Sequence, residues 1–486
     1  MKKAVTAILV LCIITSVAFP VSAGLSLDTE RLSRRVTYTD ISDHRAKDAV
    51  ERWTGYGLTH GSEGRNFRPD DPILRSELAA FIVSLVGYTT AAKSSSKPKD
   101  VSSRDPYYND IMKLIAANVI QGAGGYVRPK EAATREEAVT MIARAFKISD
   151  RLEGRMTYWD RSQISSWSKG YVQNMRDAGY LALFGPILFP DAEITRAEVL
   201  MIFDAMFPAY YAKAGYYSGV IEGNAIIRTE NVILKDATIK GDLYIVEGVG
   251  TGYYTIGQNT TIEGTIHARA GKENPFPHID PSARMVALTF DDGPTETTKK
   301  ILDVLEKYDA RATFCIVGAN IETHKKTIAR AVDLGCELVS HTWNHSALTT
   351  MSTDNLKKDT ERVSDALYKI SGVKPVFVRP PGGSYNSTTS KTIGSMGMAT
   401  LFWSIDPQDW SHLNSNTTYT RVMDNVKDGS IVLLHDLVIS TGTAVEKLVP
   451  DLIKKGYQLV TVSELLTYSD VGIKPGLVYM SKFEYK

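Results

Sequence analysis

From Arg284 onward, seven short apolar runs alternate with amphipathic stretches. The runs are MVALTF, RATFCIVG, CELVSH, VFVRPP, TLFWSID, SIVLLHD and YQLVTV, and TETTKKILDVLEKY and TDNLKKDTERVSDALYKI are two of the stretches between them. A strand that is apolar along its whole length must be covered on both faces, and a helix after each strand provides that cover only when the strands run parallel. The expectation for residues 284–468 is an α/β domain, a deformed (β/α) barrel. In such a fold, side chains with a chemical task belong at the C-terminal strand ends.

The polar residues fall at those ends. The first run closes on Asp291-Asp292-Gly293-Pro294, where adjacent carboxylates repel unless a cation or a proton relieves them. The third closes on His341-Thr342-Trp343-Asn344-His345, whose imidazoles, four residues apart, converge on one ion if a helical turn separates them. One carboxylate and two imidazoles would leave coordination positions for water and substrate. Later runs end in Arg379-Pro380-Pro381-Gly382-Gly383, in Asp406-Pro407-Gln408-Asp409-Trp410 and in Leu433-Leu434-His435-Asp436.

With these five segments in order, the region from Arg284 to Leu466 resembles the polysaccharide deacetylases of carbohydrate esterase family 4, the NodB-homology domain. The resemblance implies a metal site of Asp292, His341 and His345, a general base in Asp291 and a general acid in His435. It also implies Arg379 as the partner of Asp291, and Asp409, ahead of Asp406, as the partner of His435. Gly382 would donate a backbone N–H to the oxyanion, and Trp410 and Leu433 would wall a pocket for the acetyl methyl. Zinc is the first expectation, although cobalt, nickel or manganese suits the same donors. Many family members carry tyrosine where this chain has Gly382, with Tyr385 three residues later, so one wall of the sugar groove is expected to differ.

Before position 210 the chain repeats with a period near 60: Asp40, Asp100 and Asp160 open three segments, and Arg75, Arg135 and Arg196 recur within them. Each segment reads as two short helices, the second starting at Leu74-Arg75, Thr134-Arg135 or Thr195-Arg196, with the threonines as N-caps. Through Tyr38-Thr39-Asp40-Ile41, Asn66-Phe67-Arg68-Pro69-Asp70 and the three arginine turns, the region resembles the surface-layer homology family. The repeats are expected at 38–90, 98–150 and 157–210. The resemblance implies binding of an acidic secondary cell-wall polysaccharide, with the three arginines near the ligand. A glutamate follows each arginine within two residues and offers an alternative partner.

Between the two regions, residues 219–271 hold short Val/Ile/Thr runs broken by Gly and Asn, which predicts a small β-rich spacer, solenoid-like or sandwich-like. Lys272 to Ser282, with three prolines, reads as a linker. At the N-terminus, a basic start, an apolar run and Val21-Ser22-Ala23 predict a signal peptide over residues 1–23, with no membrane span once it is removed. The mature chain would keep two cysteines, Cys315 and Cys336, both read as packing thiols. A net charge of +1 offers no nucleic-acid footprint. The expected protein is exported to the wall of a Gram-positive-type bacterium and removes acetyl groups from N-acetylglucosamine of peptidoglycan. Chitin oligomers and acetyl-xylan are alternative substrates, and a glycan-binding surface protein without catalysis is the alternative class.

Overall fold

The computed structural model describes residues 25–26, 38–59, 66–93, 96–152 and 154–486, so the expected signal peptide lies outside the described residues. The chain divides into two compact units, Met1–His278 and Ile279–Lys486.

Among the described residues of the first unit, six α-helices follow the repeat: α1 (Lys47–Gly55), α2 (Arg75–Val86), α3 (Tyr108–Ala116), α4 (Arg135–Ala145), α5 (Lys169–Asp177) and α6 (Arg196–Met206). The helices do not pair chiefly within a repeat. Instead α2 packs on α3, α4 on α5 and α6 on α1, which closes a ring. A nine-residue helix such as α1 or α3 is marginal alone and must bury its one apolar stripe on a neighbour. Single antiparallel bridges, Leu74↔Ala132, Thr134↔Glu193 and Pro72↔Thr195, seal the three joints. The Thr134 and Thr195 hydroxyls accept the Glu137 and Glu198 amides. At Leu74 only the reverse bond survives, from its amide to Glu77 Oε2 at 3.0 Å.

The spacer is a parallel coil, which decides between solenoid and sandwich. Strands Ala209–Tyr211, Ala225–Ile227, Leu243–Ile245 and Ile266–Ala268 stack in register as one sheet. The intervening strands Gly215–Ile221, Val232–Ile239, Tyr253–Ile256 and Lys272–Glu273 stack as another. The coil therefore starts before the expected 219, and the expected linker contributes its last rung. Alternation explains how it joins the repeats. Ala225, Ile227, Leu243 and Ile245 fill the coil, while their strand neighbours Tyr210, Ile226 and Tyr244 point the other way into the core of the helical ring.

The second unit holds eight parallel strands: β1 (Arg284–Asp291), β2 (Thr313–Ile316), β3 (Glu337–Ser340), β4 (Phe377–Val378), β5 (Ala399–Leu401), β6 (Ser430–His435), β7 (Tyr457–Leu459) and β8 (Val478–Tyr479). Their order is β6-β1-β2-β3-β4-β5-β8, with β7 on the N-terminal part of β1. β8 was not among the seven predicted runs. Bridges Ser430↔Ser481 and Ile405↔Val432 carry the sheet from its β5–β8 edge back to β6, giving a deformed barrel. Helices that include α7 (Glu296–Lys307), α8 (Lys325–Asp333) and α9 (Thr353–Ser371) cover the sheet. Cys315 and Cys336 are buried and unpaired.

Candidate metal and acid-base centre

Parallel register assembles the site. β1 pairs with β6 so that Asp291 lies beside His435 and Thr289 beside Leu433, although 144 residues separate the members of each pair. β3 ends at Ser340, immediately before His341. Three strand ends thus converge at the C-terminal face.

The Asp292 Oδ1 atom lies 3.3 Å from His341 Nε2 and 3.0 Å from His345 Nε2. The ligand atoms of the three residues fall within 4.8 Å of one another. His341 is buried, and its Nδ1–H donates to the Arg379 carbonyl at 2.8 Å, because a carbonyl can only accept. That bond leaves the Nε2 lone pair facing Asp292. Oδ1 itself is buried and has no hydrogen-bond partner among the described residues. An orphaned carboxylate oxygen facing two imidazole nitrogens fits a divalent cation. Burial alone would raise the Asp292 pKa, but His341 beside it, with His345 and His435, outweighs burial, and the net shift is downward. The imidazoles converge without the expected helical turn: Thr342 (φ 60) and His345 (φ 55) take left-handed backbone and fold the loop back on itself.

A buried pair and a partly buried pair flank this cluster. Arg379, fully buried, donates from Nη1 to both Asp291 oxygens at 2.9 and 3.1 Å, and from Nη2 to Thr289 Oγ1 and the Phe402 carbonyl. The Nδ1–H of His435 donates to Asp409 Oδ1 at 2.8 Å, while Asp409 Oδ2 accepts from the His435 amide and the Thr441 hydroxyl. Burial works against a charged His435 ring. The bond to Asp409 and the negative charges of Asp409, Asp291 and Asp292 prevail, so its pKa stands above the usual imidazole value. Asp406 is exposed and accepts the Gln408 amide, which leaves Asp409 as the partner of His435.

Leu433 is buried on β6 and, by alternation, faces the same side as His435. Trp410, next to Asp409, is 55% exposed. Gly382 adopts φ 58, and a Cβ built there would meet nothing within 4 Å, so this side of the groove is open. Tyr385 packs edge-on to Phe402, which stacks on Trp403 at 4.1 Å.

Several supporting residues escaped sequence reasoning. The Asn320 amide donates to the Asp292 and Gly293 carbonyls at 3.2 and 3.4 Å. On the other loop, the Trp343 amide donates to the Asp359 carboxylate, and its ring lies between Gly318 and the Arg362 guanidinium, 3.5 Å from the ring centroid. Asp436 is fully buried against Gly293, where any Cβ would come within 2.1 Å of its carboxylate. Burial lifts its pKa to about 7, with the Asp291 and Asp292 charges adding to the rise and the Thr298 hydroxyl opposing it. Neither Asn320 nor Asp359 sits in a recurrent spacing, so only the fold could reveal them.

The three repeat arginines belong to the first unit and face protein. Arg75 donates to the Val127 carbonyl and pairs with Glu137 at 2.6 Å. Arg135 donates to the Leu188 carbonyl and pairs with Glu198 at 2.7 Å. Arg196 donates to the Phe67 carbonyl and pairs with Glu77 at 3.4 Å. Each partner is the glutamate of the next repeat around the ring, not the one two residues on.

Family comparison matches residues 278–401 to polysaccharide deacetylase. It matches residues 37–79 and 99–139 to the S-layer homology domain, and the third repeat lies outside those two segments. The peptidoglycan-N-acetylmuramic acid deacetylase PdaC of Bacillus subtilis is 39% identical over 188 residues, 38% of this chain and 40% of the relative. The chain therefore spans less than half of that relative's length. A solved structure of PdaC shares 38% identity, with 39% of this chain and 93% of that chain covered and a TM-score of 0.37. A peptidoglycan-N-acetylglucosamine deacetylase of Bacillus cereus is 38% identical over 192 residues, 38% of this chain but 89% of the relative. Because that relative is 38% identical and matched over 89% of its length, and residues 278–401 fit the family model, the chain belongs to the polysaccharide deacetylase family.

Proposed function

We propose that this protein is a wall-associated, divalent-metal-dependent N-deacetylase of peptidoglycan glycan. The observation that carries the reading is the Asp292–His341–His345 cluster with an Arg379–Asp291 pair and an Asp409–His435 pair beside it. Asp292, His341 and His345 would hold a divalent cation, zinc first among the candidates, which when bound would supply Lewis acidity to the acetamide carbonyl and the attacking water. Asp291 accepts the proton of that water as it adds to the carbonyl carbon, and Arg379 holds the carboxylate in place. The Gly382 amide donates to the oxygen as it gains charge. His435, kept protonated by Asp409, delivers its proton to the nitrogen as the C–N bond breaks, releasing acetate and the free amine. Leu433 and Trp410 receive the methyl group.

N-acetylglucosamine in the glycan strand is the first substrate. N-acetylmuramic acid is the second reading, favoured by the open space at Gly382, because its 3-O-lactyl ether requires room beside the ring. The N-terminal repeats hold the exported enzyme to an acidic secondary wall polysaccharide, with Arg75, Arg135 and Arg196 shaping the sites. Acetate release from peptidoglycan, chitin oligomers and acetyl-xylan tests the reading, with Asp291→Asn as control. Activity on peptidoglycan reduced about 10²- to 10⁴-fold by that substitution is expected, and activity on acetyl-xylan alone would overturn the substrate assignment.

A further inference from the structure

The three repeats can be aligned by their hydrogen bonds more sharply than by their sequences. Asp40, Asp100 and Asp160 each accept the two amides of a turn, Phe67-Arg68, Val127-Arg128 or Leu188-Phe189, at 2.7–3.2 Å. The second residue of each turn is left-handed, with φ of 61, 55 and 53. The same frame therefore presents Arg68, Arg128 and Phe189 in equivalent places. The residue before each aspartate varies in step: Thr39, Lys99 and Trp159. The Lys99 amide donates to the Gly125 carbonyl at 2.9 Å and the Trp159 amide to the Pro186 carbonyl at 3.0 Å, so these positions correspond as well.

The chemistry at this place changes from repeat to repeat. Arg68 pairs with Asp71, and Arg128 with Glu131 and Glu137, and both guanidinium groups remain about half exposed at 56% and 48%. The third repeat carries no cation at either position. It presents Trp159 at 71% exposure and Phe189 at 55%, the first with its amide on the Pro186 carbonyl and the second with its amide on the Asp160 carboxylate. Two large aromatic side chains held open on a rigid frame are a costly surface unless something covers them. The apolar C–H face of a pyranose is the complement of such a surface, and the missing cation means that the occupant brings no acidic group.

We propose that Trp159 and Phe189 form a stacking subsite for an uncharged pyranose unit of the wall glycan, whereas the first two repeats present cations at the same place to acidic units. This inference rests on the reading that the repeats bind wall polymer. A cationic contact weakens as salt shortens the Debye length to about 3 Å at ~1 M, and an apolar stack does not. The test is sedimentation of the full-length protein with purified Gram-positive cell walls across a sodium chloride series. The wild type is expected to keep binding at high salt. Trp159→Ala with Phe189→Ala is expected to lose at least about tenfold of that high-salt affinity, worth about 1.4 kcal/mol, with low-salt binding little changed. The Trp159→Tyr, Phe189→Tyr pair should restore it, which separates stacking from misfolding. An unchanged high-salt profile in the alanine pair would overturn the proposal, as would a dimer in the wild type that the alanine pair converts to monomer. A wild type that binds walls at no salt concentration would take down the wall-binding reading itself, and this one with it.

Discussion

Asp409 has both carboxylate oxygens committed: one to the His435 ring, the other to the His435 amide and the Thr441 hydroxyl. Asparagine there would keep the shape and lose the charge. Because the His435 pKa is raised in the wild type, its acid form persists as pH climbs, and activity should fall only as pH passes that raised value. Asp409→Asn should move the alkaline limb of kcat/KM to lower pH and reduce kcat by about 10²-fold. A pH–rate profile whose alkaline limb does not move would assign the proton delivery elsewhere. Asn320 acts one step further out, on the backbone of a proposed ligand: Asn320→Ala leaves the Asp292 carbonyl without that donor and should weaken zinc binding about 10-fold, read by competition with a chelator in the absence of substrate. At this scale the residues that converge at the candidate centre were legible because each stands beside another reactive residue at a strand end. Asn320 and Asp359 were not, because a single amide or carboxylate that braces a loop leaves no spacing to read.

The glutamate two residues on, which the sequence offered as an alternative partner for each repeat arginine, is not the one the fold brings to it. Arg75 and Glu77 are two apart on α2 and point to different sides of the helix, so they cannot pair well. The carboxylate that faces Arg75 comes from α4, and the same offset recurs at each joint of the ring. Arg75 and Glu137 are 10% and 14% exposed, so removing Arg75 leaves a largely buried carboxylate with only the half-exposed Arg128 as an ion-pair partner. Arg75→Met should destabilise the ring by about 3 kcal/mol, whereas Arg75→Met with Glu137→Gln should cost markedly less. Hydrogen exchange at α2 and α4 amides in the full-length protein measures the difference, and equal losses in the two variants would show that the pair does not couple the repeats. Period and cap residues made the helices legible; which helix meets which was not, because ring closure depends on contacts between α6 and α1, some 150 residues apart.

For the whole molecule, the position of a cut is the informative variable. Sequence composition suggests separating wall binding from catalysis near residue 210, where the helical pattern gives way to short strands. Tyr210, Ile226, Tyr244 and Val246 contradict that choice, since they share one buried cluster with the repeat helices although they belong to the coil. A chain beginning at 211 would expose the Ile226, Tyr244 and Val246 faces to water, at roughly 1.5–3 kcal/mol per large apolar side chain. A chain beginning at Ile279 starts where the second unit starts and leaves that cluster out altogether. The fragment 279–486 should therefore stay soluble, release acetate from soluble glycan at close to the full-length rate and fail to sediment with walls. The fragment 211–486 should aggregate, although it contains the same catalytic residues. Light scattering and acetate release on the two fragments distinguish these outcomes. If the longer fragment proved as soluble as the shorter, the coil would be an independent spacer, and its apolar face would not depend on the repeats for cover.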